Sequence, residues 1–457
     1  MARELKYDVV IVGQGPAGSS LSYLLRKSGL KVAGIDWVSW DKIWGKPCGD
    51  AIGAHHFQET GLPEPSGDSL MQKVDGIDLY SPSEEIRVRV RGEGYMIDRN
   101  KYGATLIKAA MDSGVDIYLR TRMGTVVMEN GKLAGVRATG PDGETIIFRA
   151  KVVVDATGSG GSVRRKLPQS WPVYEPIKKT DASIAYRRIV ELDYDIEEPE
   201  YIRIYLNEEI APGGYWWLFP KGRHIANIGL GVQGGRGYPH PAVIYREKLM
   251  KRPDVGSEIR VLSDAGALVP TRRPANTLAW DNFLGIGDNG YTVNPIHGGG
   301  MGYAMTAAKH AAEAILESFE AGDFSRRGLW GINTRYMRSL GAKQAGLDIF
   351  RIFLQELTND EIEWGMKIGL MGAQEAYETS VTGELKANLS ALDKAQILVK
   401  MLGRPSMLLR LRLVADYMKR VKRLYEEYPE DPEQLPKWVD SVEQLYKEYK
   451  AKLGITW

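Results

Sequence analysis

Gly13, Gly15 and Gly18 form G-x-G-x-x-G between the apolar run "YDVVIV" and a stretch with Leu21, Leu24 and Leu25 at helical spacing; Asp36 ends the next apolar run. Such a loop holds a pyrophosphate. The first glycine makes the tight turn, the second admits the phosphates, and the third lets the helix lie close on the strand. The helix start, with Ala17 in its first turn, presents free N–H groups and the positive end of its dipole. An acid at Asp36 accepts from ribose hydroxyls, which favours FAD or NAD over NADP. A second glycine-rich stretch, "GIGDNGYTVNPIHGGGMGYAM", sets Asp288 at a strand end and Gly298, Gly299 and Gly300 before a helix. Gly285, Gly287 and Gly290 repeat the literal pattern, but no helix follows Gly290 and no βαβ unit encloses it, so no second dinucleotide site is read there. Groups able to move a proton beside these loops are the single cysteine, Cys48, then His55 and His56, and His297 just before the glycine triplet.

The elements that must position these residues follow from periodicity. "YDVVIVGQGPAGSSLSYLLRKSGLKVAGID" reads as a βαβ unit with a buried parallel strand. "RNKYGATLIKAAMDSGV" reads as a helix closed by Gly114, and "AKVVVDATGSGG" as a second buried strand ending in a glycine loop. From about Asp181 to Leu262 alternating strands point to a mainly antiparallel domain, and the chain after about Gly328 is mostly helical. The expected fold is α/β: a Rossmann-like unit of residues 1–75, 96–178 and 263–327, an antiparallel substrate domain of 76–95 and 179–262, and a helical region of 328–457. With 457 residues the chain can bury more than one core.

Bulk properties exclude several classes. Lys and Arg total 60 against 58 Asp and Glu, a formal charge of +2, so no global attraction to nucleic acid is expected. One cysteine excludes an internal disulfide and any multi-cysteine metal site; no metal is expected. The opening residues lack a signal-peptide pattern and no apolar run is long enough to span a bilayer, so a cytoplasmic protein is expected, meeting lipid from the surface if at all.

The two glycine segments together resemble the FAD-dependent oxidoreductases of the p-hydroxybenzoate hydroxylase type. The resemblance implies that Asp288, Gly300 and Met301 touch FAD, that Arg99 in "DRNKYGATLIKAA" lies along it, and that the backbone at Met123 holds adenine; "DATGSGGSVRR" is similar to the middle motif. One branch, the geranylgeranyl reductases, is resembled more closely. "KPCGD" (Lys46 to Asp50) and Tyr215-x-Trp217-x-Phe219-Pro220, followed after eight residues by Gly229-x-Gly231, carry it. This resemblance implies an apolar slot for a prenyl lipid and reduction of its C=C bonds, with hydride from flavin and a proton from the protein. It also places Cys48, Gly49 and Ala51 at the cofactor and Tyr215, Trp217, Phe219, Gly229 and Gly231 at the substrate. Proton-donor candidates are Cys48, His55 and His297. The electron donor is NAD(P)H, bound transiently, or a ferredoxin-like protein. A flavin monooxygenase or halogenase, and a non-catalytic lipid carrier that keeps a flavin, remain as alternatives.

Alternation puts Tyr215, Trp217 and Phe219 on one strand face. With "KGR" as a three-residue turn, Phe219 is expected opposite Ile225, Tyr215 opposite Gly229 and Gly213 opposite Gly231, leaving a groove beside an aromatic wall. Lys400, Arg404, Arg410, Arg412, Lys419, Arg420, Lys422 and Arg423 make a basic amphipathic stretch. It reads either as a solvated face on packed helices or as a surface that docks on anionic lipid.

Overall fold

The computed structural model describes residues 3–370 and 404–457. Two eight-stranded sheets organise them. Strand β1 (Arg3–Val12) runs parallel to β2 (Val32–Ile35) on one side and to β9 (Thr145–Asp155) on the other. Val9, Val10 and Ile11 are fully buried, as a central parallel strand covered on both faces requires. The first sheet continues through β6 (Asp116–Tyr118) at one end and β16 (Phe283–Gly285) and β15 (Ala279–Trp280) at the other; β7 (Arg122–Glu129) and β8 (Lys132–Thr139) add an antiparallel meander to β9. Helix α1 (Pro16–Leu25) lies against the long helix α6 (Met301–Ala321).

The second sheet has the order β14-β10-β13-β12-β11-β4-β5-β3. These strands are β3 (Ala51–Gly53), β4 (Leu70–Tyr80), β5 (Arg87–Ile97), β10 (Ser183–Leu192), β11 (Tyr201–Tyr205), β12 (Tyr215–Pro220), β13 (Ile225–Gln233) and β14 (Glu258–Val269). All pairs are antiparallel except β4 with β11. The expected boundaries at 75/76, 95/96 and 262/263 therefore fall inside β4, β5 and β14. Each strand follows its ladder into one sheet, so the second domain begins earlier and ends later than composition suggests, and it also takes β3. One face packs a core of Trp216, Leu218, Ile228 and Leu230 against α4 (Pro241–Glu247) and α5 (Pro253–Gly256), with Ile244, Tyr245 and Val255 buried. The other face carries Trp217 and Phe219.

The hairpin register is displaced by two residues from expectation. Phe219 faces Asn227, Trp217 faces Gly229 and Tyr215 faces Gly231. Lys221, expected in the turn, is instead paired: its N–H donates to Ile225 O at 2.7 Å. Gly222, at φ +109°, then begins the turn with Arg223 and His224. A shift of two keeps every side chain on its expected face.

Between α2 (His55–Thr60) and α6 lies α3 (Arg99–Met111) in chain order, started by Asp98, whose carboxylate accepts from Lys101 N. The C-terminal region adds α7 (Gly331–Tyr336), α8 (Ala342–Leu354), α9 (Asn359–Lys367), α10 (Pro405–Glu426) and α11 (Leu435–Leu453). Val414, Tyr417, Met418, Val421 and Tyr425 repeat at helical spacing and are buried where α10 packs along α8 and α11. Several cations of the basic stretch are committed inside the protein: Arg404 to Asp360, Arg410 to Glu361 and Arg420 to Glu448. Lys400 lies outside the described residues. No helix among the described residues is long and apolar enough to cross a membrane.

The third loop glycine is the tightest point of the first domain. A Cβ on Gly18 would lie 1.8 Å from Gly13 O. Gly18→Ala must push α1 off the loop, so it is expected to cost about 1–3 kcal/mol, read as a lower denaturant midpoint and weaker retention of the dinucleotide.

Candidate active site

Loop geometry explains the first glycine motif. Gly13, at φ +94°, has its α-carbon against Ala156, where a Cβ would lie 2.5 Å from the carbonyl oxygen. A side chain on Gly15, by contrast, would meet nothing, which leaves the N-terminus of α1 open. Asp36 accepts from Gln14 N at 2.6 Å and Val38 N at 3.2 Å, and burial raises its carboxyl pKa. On the far side, Asp155 is fully buried and gathers the N–H groups of Thr157, Val163 and Arg164, fixing the "DATGSGG" loop.

A single cavity of about 2660 Å³ runs from this loop across the face of the second sheet. Individual ligand pockets span roughly 300–1,000 Å³, so there is room for a dinucleotide and a long second molecule. Gly13, Gly15, Ala17, Asp36 and Met123 line one end. Cys48, Gly49, Ala51, Arg99, Asp288, Gly300 and Met301 line the middle, as do His55 and His297. Gly18 does not reach the cavity; its role is helix packing. Residues of this slot fit FAD. The Nε of Arg99 is buried with no partner, Gly15 is open, and the start of α6 at Gly300 has no side-chain cap. Lys46 Nζ bonds Asp288 and the Arg99 guanidinium bonds Lys46 O, so the loop before Cys48 spans the slot.

Beyond the slot the wall is mostly apolar, with Arg187, Glu208 and Asp264 among its polar members. Tyr215, Trp217, Phe219 and Gly231 line it, with Ile202 and Ile204 from β11. Gly229 does not, contrary to expectation: the Trp217 ring fills its space, so a Cβ there would lie 2.5 Å from Trp217 Cζ2. Gly231 has nothing within 4 Å of a built Cβ and is the real gap. The helical region supplies the far wall through Phe350, Leu354, Trp364, Met407 and Leu411, a contribution that the amphipathic pattern could not assign to a cavity.

The cysteine loop and the aromatic hairpin are one unit. Asp50 is buried at φ +65°, and its Oδ2 accepts from Lys221 Nζ at 2.6 Å. Asn227, fully buried on β13, donates from Nδ2 to Cys48 O at 2.8 Å and to Asp50 Oδ2 at 3.1 Å. Its Oδ1 accepts from Trp217 Nε1 at 3.0 Å. Phe219 lies on Gly49, where a Cβ would sit 2.7 Å from the ring. Sequence reading missed Lys221 and Asn227, although both stand between Pro220 and Gly229 of the hairpin motif. It also missed Arg187, which lines the cavity and donates to Ser263 Oγ at 2.9 Å.

The histidines are poor acids here. Desolvation lowers the His56 pKa to about 3; His297, an exposed residue on the cavity wall, is lowered in the same direction, with the Lys343 ammonium contributing. Burial also lowers His55. His55, His56 and Glu59 place ligand atoms within 4.8 Å of one another, but the Lys343 ammonium opposes charge on both rings, and we assign no ion there. Tyr215 donates to His297 O at 2.6 Å, and burial raises its phenol.

A dinucleotide slot opening without partition into a chamber whose wall is dominated by rings and aliphatic side chains suits redox chemistry on an apolar molecule. Residues 6–185 match the family model of an FAD binding domain, which makes the chain an FAD-dependent flavoprotein of the oxidoreductase class. Residues 181–269 match that of the geranylgeranyl reductase catalytic domain. The chain is 45% identical over 454 residues to the digeranylgeranylglycerophospholipid reductase of Sulfolobus acidocaldarius, covering 99% of this chain and 100% of that one. It is 30% identical to the enzyme of that name from Methanothrix thermoacetophila, over 78% of this chain and 90% of the other. The chain therefore belongs to the digeranylgeranylglycerophospholipid reductase family. A crystal structure of a geranylgeranyl bacteriochlorophyll reductase-like protein from Thermoplasma acidophilum superposes with a TM-score of 0.76 at 22% identity, covering 90% of this chain and 100% of that one. A flavin-dependent brominase shares the fold at a TM-score of 0.62 and 18% identity, over 88% of this chain and 100% of the other.

Removing one partner of a buried ion pair leaves an uncompensated charge. Lys221→Met is expected to cost about 3–5 kcal/mol in urea unfolding, and adding Asp50→Asn should recover part of that loss.

Proposed function

We propose that the protein reduces C=C bonds in the geranylgeranyl chains of isoprenoid lipids such as digeranylgeranylglycerophospholipid. The observation that carries this reading is the apolar chamber continuous with the FAD slot and walled by Tyr215, Trp217 and Phe219. An isolated alkene offers no polar handle, so it is held by shape and apolar burial. Reduced FAD, when bound, supplies the hydride. The slot residues Gly13, Gly15, Ala17, Asp36, Gly49, Ala51, Arg99, Met123, Asp288, Gly300 and Met301 bind and orient it; Gly18 serves by packing.

Cys48 supplies the proton to the second carbon and is later reprotonated from solvent. Desolvation disfavours the cationic form of His55, His56 and His297, most strongly for His56. The Cys48 thiol lines the cavity at the slot. Electrons reach the flavin from NAD(P)H or a ferredoxin-like protein. The substrate is drawn from a membrane surface that this cytoplasmic protein meets peripherally; Leu409, 65% exposed on α10 among basic residues, supports that contact.

Anaerobic mixing tests the reading. Dithionite-reduced holoenzyme should be reoxidised by a geranylgeranyl lipid without oxygen, with hydrogens added to the lipid by mass spectrometry. No reoxidation leaves the monooxygenase or halogenase class, and an unchanged lipid leaves a carrier. Cys48→Ala should slow this step at least a hundredfold while leaving the flavin spectrum unchanged.

The gap in the wall gives a second test. Gly231→Val projects into open space and should raise KM for prenyl lipids about tenfold without loss of stability, since one added side chain removes about 1.5–3 kcal/mol of apolar contact. Unchanged kinetics would exclude substrate contact at β13.

A further inference from the structure

Asn227 makes three side-chain hydrogen bonds in a buried site, and their chemistry fixes the amide's orientation. The Trp217 indole can only donate, so it takes Oδ1; the Cys48 carbonyl and the Asp50 carboxylate can only accept, so they take Nδ2. One planar group thus ties the wall of the substrate chamber to the loop that carries the thiol, across 179 residues of sequence. Both neighbours in this tie are themselves pinned. Trp217 is seated over Gly229, and Asp50 is held by Lys221, whose Nζ also reaches Ile97 O at 3.4 Å.

We infer that Asn227 is a positioning residue that sets the Cys48 thiol and the Trp217 indole at one fixed separation, so that the alkene carbon resting on the indole lies within reach of the thiol proton. The inference rests on the proposed role of Cys48 for its consequence in turnover, but not for the tie itself. Asn227 touches neither substrate nor cofactor and acts through the two groups it holds.

The test uses holoenzyme of Asn227→Ala and the isosteric Asn227→Asp. Because the chain has one cysteine, alkylation by iodoacetamide reports on Cys48 alone. Asn227→Ala should alkylate at least fivefold faster than the parent, and its anaerobic kcat on a geranylgeranyl lipid should fall at least tenfold with KM changed less than threefold. In Asn227→Asp the new carboxylate faces Asp50 and the Cys48 carbonyl. Lys221 stands opposite, with Arg187 and Arg99 further out. Where the new side chain is ionised, as expected at pH 8, it can no longer donate to the Cys48 carbonyl or to Asp50, so kcat falls at least tenfold. Near pH 5 a protonated carboxyl can donate to Asp50 and accept from Trp217, so the deficit relative to the parent should shrink severalfold. A merely structural residue would give no such pH-dependent recovery. Should Asn227→Ala lose its flavin, the pH ratio of Asn227→Asp decides. Alkylation and kcat within twofold of the parent in Asn227→Ala, or a deficit in Asn227→Asp that does not change with pH, overturns the inference. Full turnover by Cys48→Ala would remove the proton-donor role alone, leaving alkylation and the pH ratio to judge the tie.

Discussion

The contact on which the site depends is the buried Lys221–Asp50 pair with the Asn227 amide beside it. Each charge is almost fully removed from water, and neither would be tolerated there alone. Their desolvation is offset only when the cysteine loop and the aromatic hairpin meet in one register. The pair therefore contributes specificity of arrangement more than stability. Its consequence is that "KPCGD" and the Tyr-x-Trp-x-Phe-Pro hairpin are halves of one device, which explains why glycine stands at 49, beneath the Phe219 ring, and at 229, beneath Trp217.

That device sits at the boundary between two kinds of surface. On one side the slot is built of backbone N–H groups, a helix start and an unpartnered Arg99 Nε, all suited to a phosphate-bearing cofactor. On the other side the chamber is built of rings and aliphatic side chains drawn from β11, β12, α8, α9 and α10. The slot draws on both sheets, since Ala51 on β3 lines it, and the chamber draws on the second sheet and the helices. The helical region is what closes the far wall, so it belongs to the site as much as the sheets do.

How much of this was legible in the sequence depended on distance along the chain. The G-x-G-x-x-G turn, Asp36 and the start of α6 are local patterns, and the structure sets their residues, Gly18 apart, along one cavity. The hairpin's faces were also readable, because alternation fixes them. Its register was not: Lys221 looked like a turn residue until its ladder bond and its ion pair showed it to be paired. Strand ends misled the domain boundaries for a similar reason, since β4, β5 and β14 continue past the point where composition changes. The Asn227 and Lys221 roles lay beyond reading altogether. Their partners are 171 to 179 residues away, and no spacing rule connects them.

The same burial that suits the chamber to a prenyl chain also decides which acids can work in it. A cationic acid is penalised when water is removed, and burial accordingly pushes the His56 ring toward its neutral form. A neutral acid suffers no such penalty while it keeps its proton. The cost arises only after transfer, when the site must hold an anion, and then a nearby fixed cation matters. Arg187 is nearly buried, its Nε has no partner, and its charge interacts with both Cys48 and Asp50. Apolar enclosure and one desolvated guanidinium beside the cysteine loop are thus linked: the enclosure that disfavours a cationic ring is also what lets the Arg187 charge act strongly on its neighbours.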